Sequence, residues 1–327
     1  MKNTSSPSSD IPNESLGPAG VRGELHVLAI MANEKRDDQS RLKDSSTRTF
    51  KVEALLAKAN SATEGIKGDF GVEDGGSYLL LPQDQAMSRV RCAGGMFEFK
   101  KNSKGEQSLV SFECTATSTA EARRKFSETV LPFVDYLSYV ANCPIVLTTI
   151  RVHDPKNDRH AIEYVSPYRQ AIFSQHISNL YPEMAPVHAM YREAKNSHSD
   201  FYTFLCYYKI LEGLLGAVRN EVFVRARSKG ISLQGRREVV PASEHIAESY
   251  QKHVGKPIKG FFDEVLNPQF RVAIAHFITD AGTILNMSDF QHANSYAEVL
   301  FVTELCVREV IQSHSLLLEA LHAKNGA

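Results

Sequence analysis

The stretch FYTFLCYYKILEGLL, residues 201–215, decides the fold class. Phe201, Phe204, Leu205, Tyr208, Leu211 and Leu215 fall three or four residues apart, and Val218 continues the series. That is the period of one apolar face of an α-helix, and Ser199 and Asp200 directly upstream supply a cap. The spacing predicts one long amphipathic helix reaching Val218. Its aromatics Tyr202, Phe204, Tyr207 and Tyr208 read as core rather than as base-stacking groups, because helical spacing buries them on one side. Glu212 is the lone acid in this apolar run.

Working outward, the C-terminal half keeps the helical period. Ser288 and Gln291 form a capping box, and the segment from Asp289 to about Leu321 contains no proline or glycine, which predicts the longest helix of the chain. Between these lie a shorter helix near Ala242 to Tyr250, an aromatic pair at Phe261-Phe262, and a helix opened by Asn267-Pro268. Helices joined by short loops imply a bundle. Before about residue 170 the texture differs. Leu25 to Ala32 and Tyr78 to Leu81 are apolar runs, and Val110, Phe112 and Cys114 alternate with Ser111, Glu113 and Thr115. Lys101 to Gly105 reads as a hairpin loop. Ser118 with Glu121 caps one helix carrying Phe126, Val130, Phe133, Leu137 and Val140, with a kink expected at Pro132. Ile145 to Val152 returns to strand. The fold class is therefore α+β: a polar tail over residues 1–22, a β-rich domain over 23–168 and an all-α bundle over 169–327.

Composition excludes several function classes. The 327 residues are 43% hydrophobic and 23% charged, with a formal net charge of -1, which is ordinary globular protein and not a general coat for nucleic acid. Cys92, Cys114, Cys143, Cys206 and Cys306 are scattered at no zinc-ligand or redox spacing, as expected of reduced thiols in a cytoplasmic protein. The opening MKNTSSPSSDIPNESLGPAG has neither the apolar run of a signal peptide nor that of an anchor. No window approaches a membrane span. A phosphate-binding glycine loop and a nucleophile elbow are both absent, which disfavours nucleotide and serine hydrolysis.

The residues with the most chemistry are in Arg271-Val272-Ala273-Ile274-Ala275-His276, where a permanent cation and the side chain that titrates near neutrality bracket an apolar run. Together they can grip a phosphate and move a proton. A bundle in which YYKILEGLL precedes FRVAIAH resembles the HEPN superfamily, and within it the branch of the methylamine-utilisation protein MauJ and of ApeA-like phage-defence proteins. The resemblance covers about residues 170–325. It implies a metal-independent endoribonuclease or RNA-binding effector without cofactor, working as a homodimer in phage defence or a toxin-like stress response, with Arg271 and His276 catalytic. The β-rich domain would then sense a trigger or protein partner. Positions five apart on an α-helix lie about 140° apart and about 7.5 Å along the axis, so a symmetric partner helps to close a pocket.

Many active members of that superfamily place a polar residue directly after the arginine, and Val272 stands there instead. The alternative reading is a catalytically silent HEPN-type dimerisation or accessory module, in which Arg271 pairs with Glu212 and His276 fills a helix contact. Two further clusters belong to the reading. Arg225, Arg227, Arg236 and Arg237, in a run with Arg219 and Lys229, could guide an RNA backbone, although Glu221 and Glu238 dilute them and an exposed helix end explains the run more simply. His153, Asp154, Asp158 and His160 gather four ligand-type side chains at a spacing that matches no known metal pattern, so no metal site is expected.

Overall fold

The computed structural model describes residues 16–29, 37–57, 87–92, 94–101, 107–141, 145–166, 181–279 and 281–323. They fall into two compact units, one within Met1–Tyr168 plus Ser288–Phe290 and one within Arg169–Met287 plus Gln291–Ala327. The class is α+β.

The first unit is an antiparallel sheet backed by one long helix. Its strands are β1 (Arg22–Leu28), β2 (Arg48–Ala57), β3 (Met87–Cys92), β4 (Gly95–Lys101), β5 (Gln107–Ala116), β6 (Val146–Asp154) and β7 (Arg159–Val165), in the order β1-β7-β6-β2-β5-β4-β3. A short helix α1 (Asp38–Lys43) precedes β2, and α2 (Thr119–Ala141) follows β5. Period-two burial selects one face of the sheet: Phe50, Val52 and Ala54 of β2, Phe97 and Phe99 of β4, Val110 and Phe112 of β5 and Val152 of β6 are buried. Against them pack Ala122, Phe126, Val130 and Val134 of α2. Ser118 caps α2 through a 3.1 Å bond from the Glu121 amide, and the Glu121 carboxylate accepts from the Thr117 amide and hydroxyl at 2.8 and 2.6 Å. Those bonds, with Lys125, hold the Glu121 pKa down to about 2.

Several expected boundaries move. Of the run Leu25 to Ala32, Leu25 to Leu28 belong to β1, which starts earlier, at Arg22, and pairs with β7 up to Leu28 opposite Arg159; residues 30–32 lie outside the described residues. The helix α2 runs on through Pro132 to Ala141, as the apolar series to Val140 predicts. Tyr78 to Leu81 lie outside the described residues, as does the Lys101 to Gly105 loop beyond Lys101.

The second unit is helical. It comprises α3 (Ala185–Asn196), α4 (Asp200–Leu214), α5 (Ala217–Ser228), α6 (Glu248–Gln251), α7 (Ile258–Phe261), a π-helical segment (Phe262–Arg271), α8 (Val272–His276) and α9 (Phe290–Ala323). Ser199 caps α4 as expected, its hydroxyl accepting from the Tyr202 amide. The helix does not reach Val218, however. Gly216 breaks it with φ -128° and ψ -118°, and Val218 belongs to α5. A Cβ at Gly216 would lie 2.8 Å from the Glu212 carbonyl oxygen, so the break requires glycine. The helix expected over Ala242 to Tyr250 shrinks to the single turn of α6. The longest helix is α9, 34 residues, and its Tyr296, Val299, Val302, Cys306, Val307 and Val310 complete the core begun by α4. No helix among the described residues is long and apolar enough to cross a membrane.

Candidate functional site

Arg271 is the last residue of the π-helical segment, and the helical run that carries it begins at Ile258, ten residues before Pro268. Asn267-Pro268 is therefore not a helix start. Pro268 has no N–H to give, and the chain accommodates it by widening: the Val272 amide donates to the Asn267 carbonyl five residues back. Asn267, freed from capping, turns its side-chain oxygen to the Tyr208 hydroxyl of α4, which donates to it at 2.9 Å.

This geometry is pinned from two sides. Phe270 packs against Phe204 and Tyr296 with ring centroids 5.4 and 5.0 Å away, and the Tyr296 hydroxyl donates to the Phe270 carbonyl at 2.8 Å. Tyr208 stacks on Phe262 at 4.8 Å. The aromatics of FYTFLCYY that face the core, Phe204, Tyr207 and Tyr208, are buried as read, while Tyr202 is exposed. They fix the backbone on either side of Arg271.

Arg271 itself is half-buried, and Val272 beside it likewise. The pairing of Arg271 with Glu212 is not formed. The Glu212 carboxylate holds Lys209 at 2.7 Å, one helical turn away, and its second oxygen lies 3.4 Å from the Tyr208 hydroxyl. Asp263 likewise holds Lys259. Among the described residues no hydrogen bond or ion pair engages the Arg271 guanidinium. Burial first, then the charge of Glu212, pushes the Tyr208 hydroxyl above its usual pKa against the opposing charge of Arg271. The hydroxyl thus stays protonated and donating. The arrangement is an available guanidinium beside a fixed phenol–amide pair, suited to an anion.

His276 ends α8 and is exposed. Phe277 follows in the left-handed region at φ 58°, and the chain turns back through bonds from Gly282 to Thr279 and from Leu285 to Phe277. Phe277, Ile278, Ile284 and Met287 around this turn are all at least half exposed. Arg271 closes the π-helical segment and His276 closes α8, which follows it directly in the chain.

The basic run is largely neutralised. Arg219 holds Glu238 at 2.7 Å, Arg225 holds Glu183 at 3.1 Å and Arg236 holds Glu309 at 3.1 Å. Arg227 and Arg237 are exposed and make no ion pair among the described residues.

The four-residue cluster of the first unit divides. Asp154 is fully buried and belongs to Arg48, whose Nη2 donates to it at 2.7 Å. Burial pushes the Asp154 pKa up, but hydrogen bonds from Arg48 and Asn157 outweigh it and hold the carboxyl below the usual range. His153, Asp158 and His160 converge instead, with ligand atoms all within 4.8 Å of one another. Sequence spacing hid this, because His153 and His160 meet only through the register of β6 on β7.

The described cysteines, Cys92, Cys114, Cys206 and Cys306, are free. Burial pushes the Cys306 thiol up to about 12, which leaves it an unreactive core group.

Residues 187–312 match the family model described as Methylamine utilization protein MauJ. This segment of the chain is MauJ-like, and it holds α4, the π-helical segment, Arg271 and His276. None of the curated proteins or solved structures compared with the chain matches it.

Proposed function

We propose that the MauJ-like helical unit is a HEPN-type endoribonuclease module that works as a symmetric pair, with Arg271 and His276 at its centre. The observation that carries this reading is the uncommitted Arg271: both acids whose charge reaches Tyr208, Glu212 and Asp263, are already taken by lysines. Arg271 binds the scissile phosphate through its planar fork and stabilises the charge that develops on it. His276, exposed at the end of α8, takes the proton of the ribose 2′-OH. The 2′ oxygen then bonds to phosphorus, the bond to the 5′ oxygen breaks, and that oxygen takes a proton from the second His276 or from water. DNA lacks the internal nucleophile and is spared.

Incubation of the purified chain with single-stranded RNA in EDTA tests this. Cleavage is expected for the wild type, and Arg271→Ala or His276→Ala should reduce it by about a hundredfold or more without altering the fold. Wild-type protein that leaves RNA intact, with both substitutions changing only the melting temperature, overturns it. A second reading, the silent dimerisation or accessory module, draws on Val272, which offers no hydrogen bond beside Arg271, and on the exposed Phe277, Ile278, Ile284 and Met287. On that reading Phe277→Ser with Ile284→Ser abolishes a dimer in sedimentation, and no RNA is cut.

A further inference from the structure

The β6–β7 hairpin of the first unit joins two imidazoles and a carboxylate that nothing else in the described structure uses. His153 on β6 and His160 on β7 are direct cross-strand partners, and their rings stack with centroids 4.3 Å apart and planes 7° from parallel. Asp158 lies in the connecting turn. The Nδ1 of His160 is buried without a hydrogen-bond partner. Among the described residues neither ring of the pair and no oxygen of the Asp158 carboxylate enters a hydrogen bond or ion pair.

Every other polar side chain around the turn is committed. The almost fully buried Arg41 of α1 donates to the Asn157 carbonyl at 2.8 Å, to the Asp158 carbonyl at 3.1 Å and to the Ala29 carbonyl at 3.0 Å. Asn157 donates its side-chain amide to Asp154 at 2.9 Å and to Asp44 at 3.0 Å, and Asp154 is locked to Arg48. A buried polar atom without a partner is destabilising, so an idle imidazole beside so thorough a network calls for an occupant. Residue choice says the same. Asp158 has φ 46°, where glycine or asparagine serves a hairpin turn at least as well, so turn geometry does not demand a carboxylate there.

We propose that His153, Asp158 and His160 bind a divalent transition-metal ion of the zinc class. Two imidazole nitrogens and one carboxylate oxygen are the donor set for zinc, cobalt or nickel rather than for calcium or magnesium, which take oxygen ligands. Tetrahedral zinc with bonds of about 2.0–2.2 Å needs donors about 3.4 Å apart, so the three side chains draw inward by ~1 Å on binding, a movement for χ rotation and not for backbone. The turn is already held rigid by Arg41 and Asn157, which keeps the donors in place without the ion. Lys51, opposite His153 on β2, and Arg151 share this face of the sheet. Lys51 is neutralised by Glu53 at 2.6 Å. Three protein ligands leave a coordination position open to solvent, the pattern of a site that also meets a small ligand.

The experiment uses the full chain, stripped with EDTA and desalted. Titration with Co2+ read by visible absorption, and with Zn2+ read by competition against a chromogenic chelator, should show one tight equivalent per chain. His153→Gln and His160→Gln should each weaken it by more than about tenfold, and Asp158→Asn should weaken it while preserving the turn. His188→Gln, on an exposed face of α3, should leave it unchanged. The proposal is overturned if the wild type binds no tighter than Asp158→Asn and His160→Gln. Should a histidine variant fail to fold, Asp158→Asn, which keeps a residue suited to positive φ, decides the question alone.

Discussion

The most deeply buried imidazole among the described residues of the helical unit gives it a defined acid sensitivity. His314 of α9 is 1% exposed and its Nδ1 has no hydrogen-bond partner. Burial, then the charge of Arg219, lowers its pKa to about 4, with Glu183 and Glu238 pulling the other way. The unfolded chain protonates this group near the ordinary value of about 6.5, so the unfolded state gains a proton first as pH falls. His314 therefore contributes fully above about pH 6.5, and that contribution, ~3 kcal/mol, is lost between there and about pH 4. Urea midpoints measured at pH 7.5 and pH 5 should differ for the wild type, and His314→Leu should narrow the gap. An unchanged gap sinks the assignment. At this scale the sequence was partly legible. Arg271 and His276 could be singled out because their chemistry stands out against an apolar run, whereas Glu212, the partner of Arg271 on the alternative reading, is held by Lys209 instead. A lysine one turn away on the same helix takes the carboxylate in place of an arginine from another element.

At the scale of elements, the period of three and four placed α4 and α9 correctly because their burial is one-sided and continuous. Where elements end was less readable. The break at Gly216 depends on a backbone conformation that apolar spacing across it conceals, since Leu215 and Val218 keep the period while the helix axis changes. Gly216→Ala should destabilise the protein by about 1–3 kcal/mol, seen as a lower denaturation midpoint, because its Cβ collides with a carbonyl oxygen. A midpoint equal to wild type shows that the backbone can relax there. The π-helical segment was misread for a related reason: Pro268 signals a helix start by its missing N–H, but a widened turn also absorbs it. The Tyr296 hydroxyl and the packing of Phe270 select the second outcome.

Among the described residues one apolar core lies between the sheet and α2, and the others lie within the helical unit, where Val187 and Ile311 pack against both. A lesion in one core should therefore spare the stability of the other. Removing the Asp154 carboxylate with Asp154→Ala leaves the buried Arg48 with only the Asp44 carboxylate, 3.9 Å away, at a cost of about 3–5 kcal/mol. Leu211→Ala empties a fully buried site on α4, at about 2–5 kcal/mol. Calorimetry should resolve two transitions, with each substitution lowering a different one. A single transition lowered by both refutes independent units.

What the sequence by itself determined is the succession of periods, two and then three to four, and with it an α+β class, a helical second half and the arginine–histidine run within it. Those are local properties, written in the spacing of neighbours along one element. The tertiary structure decided everything that rests on residues far apart in the chain: that the Arg271 guanidinium is left uncommitted, that Asp154 serves Arg48 across 106 positions, and that strand register brings His153 onto His160. Such contacts depend on which surfaces pack and in what register, and no spacing along a single segment encodes them.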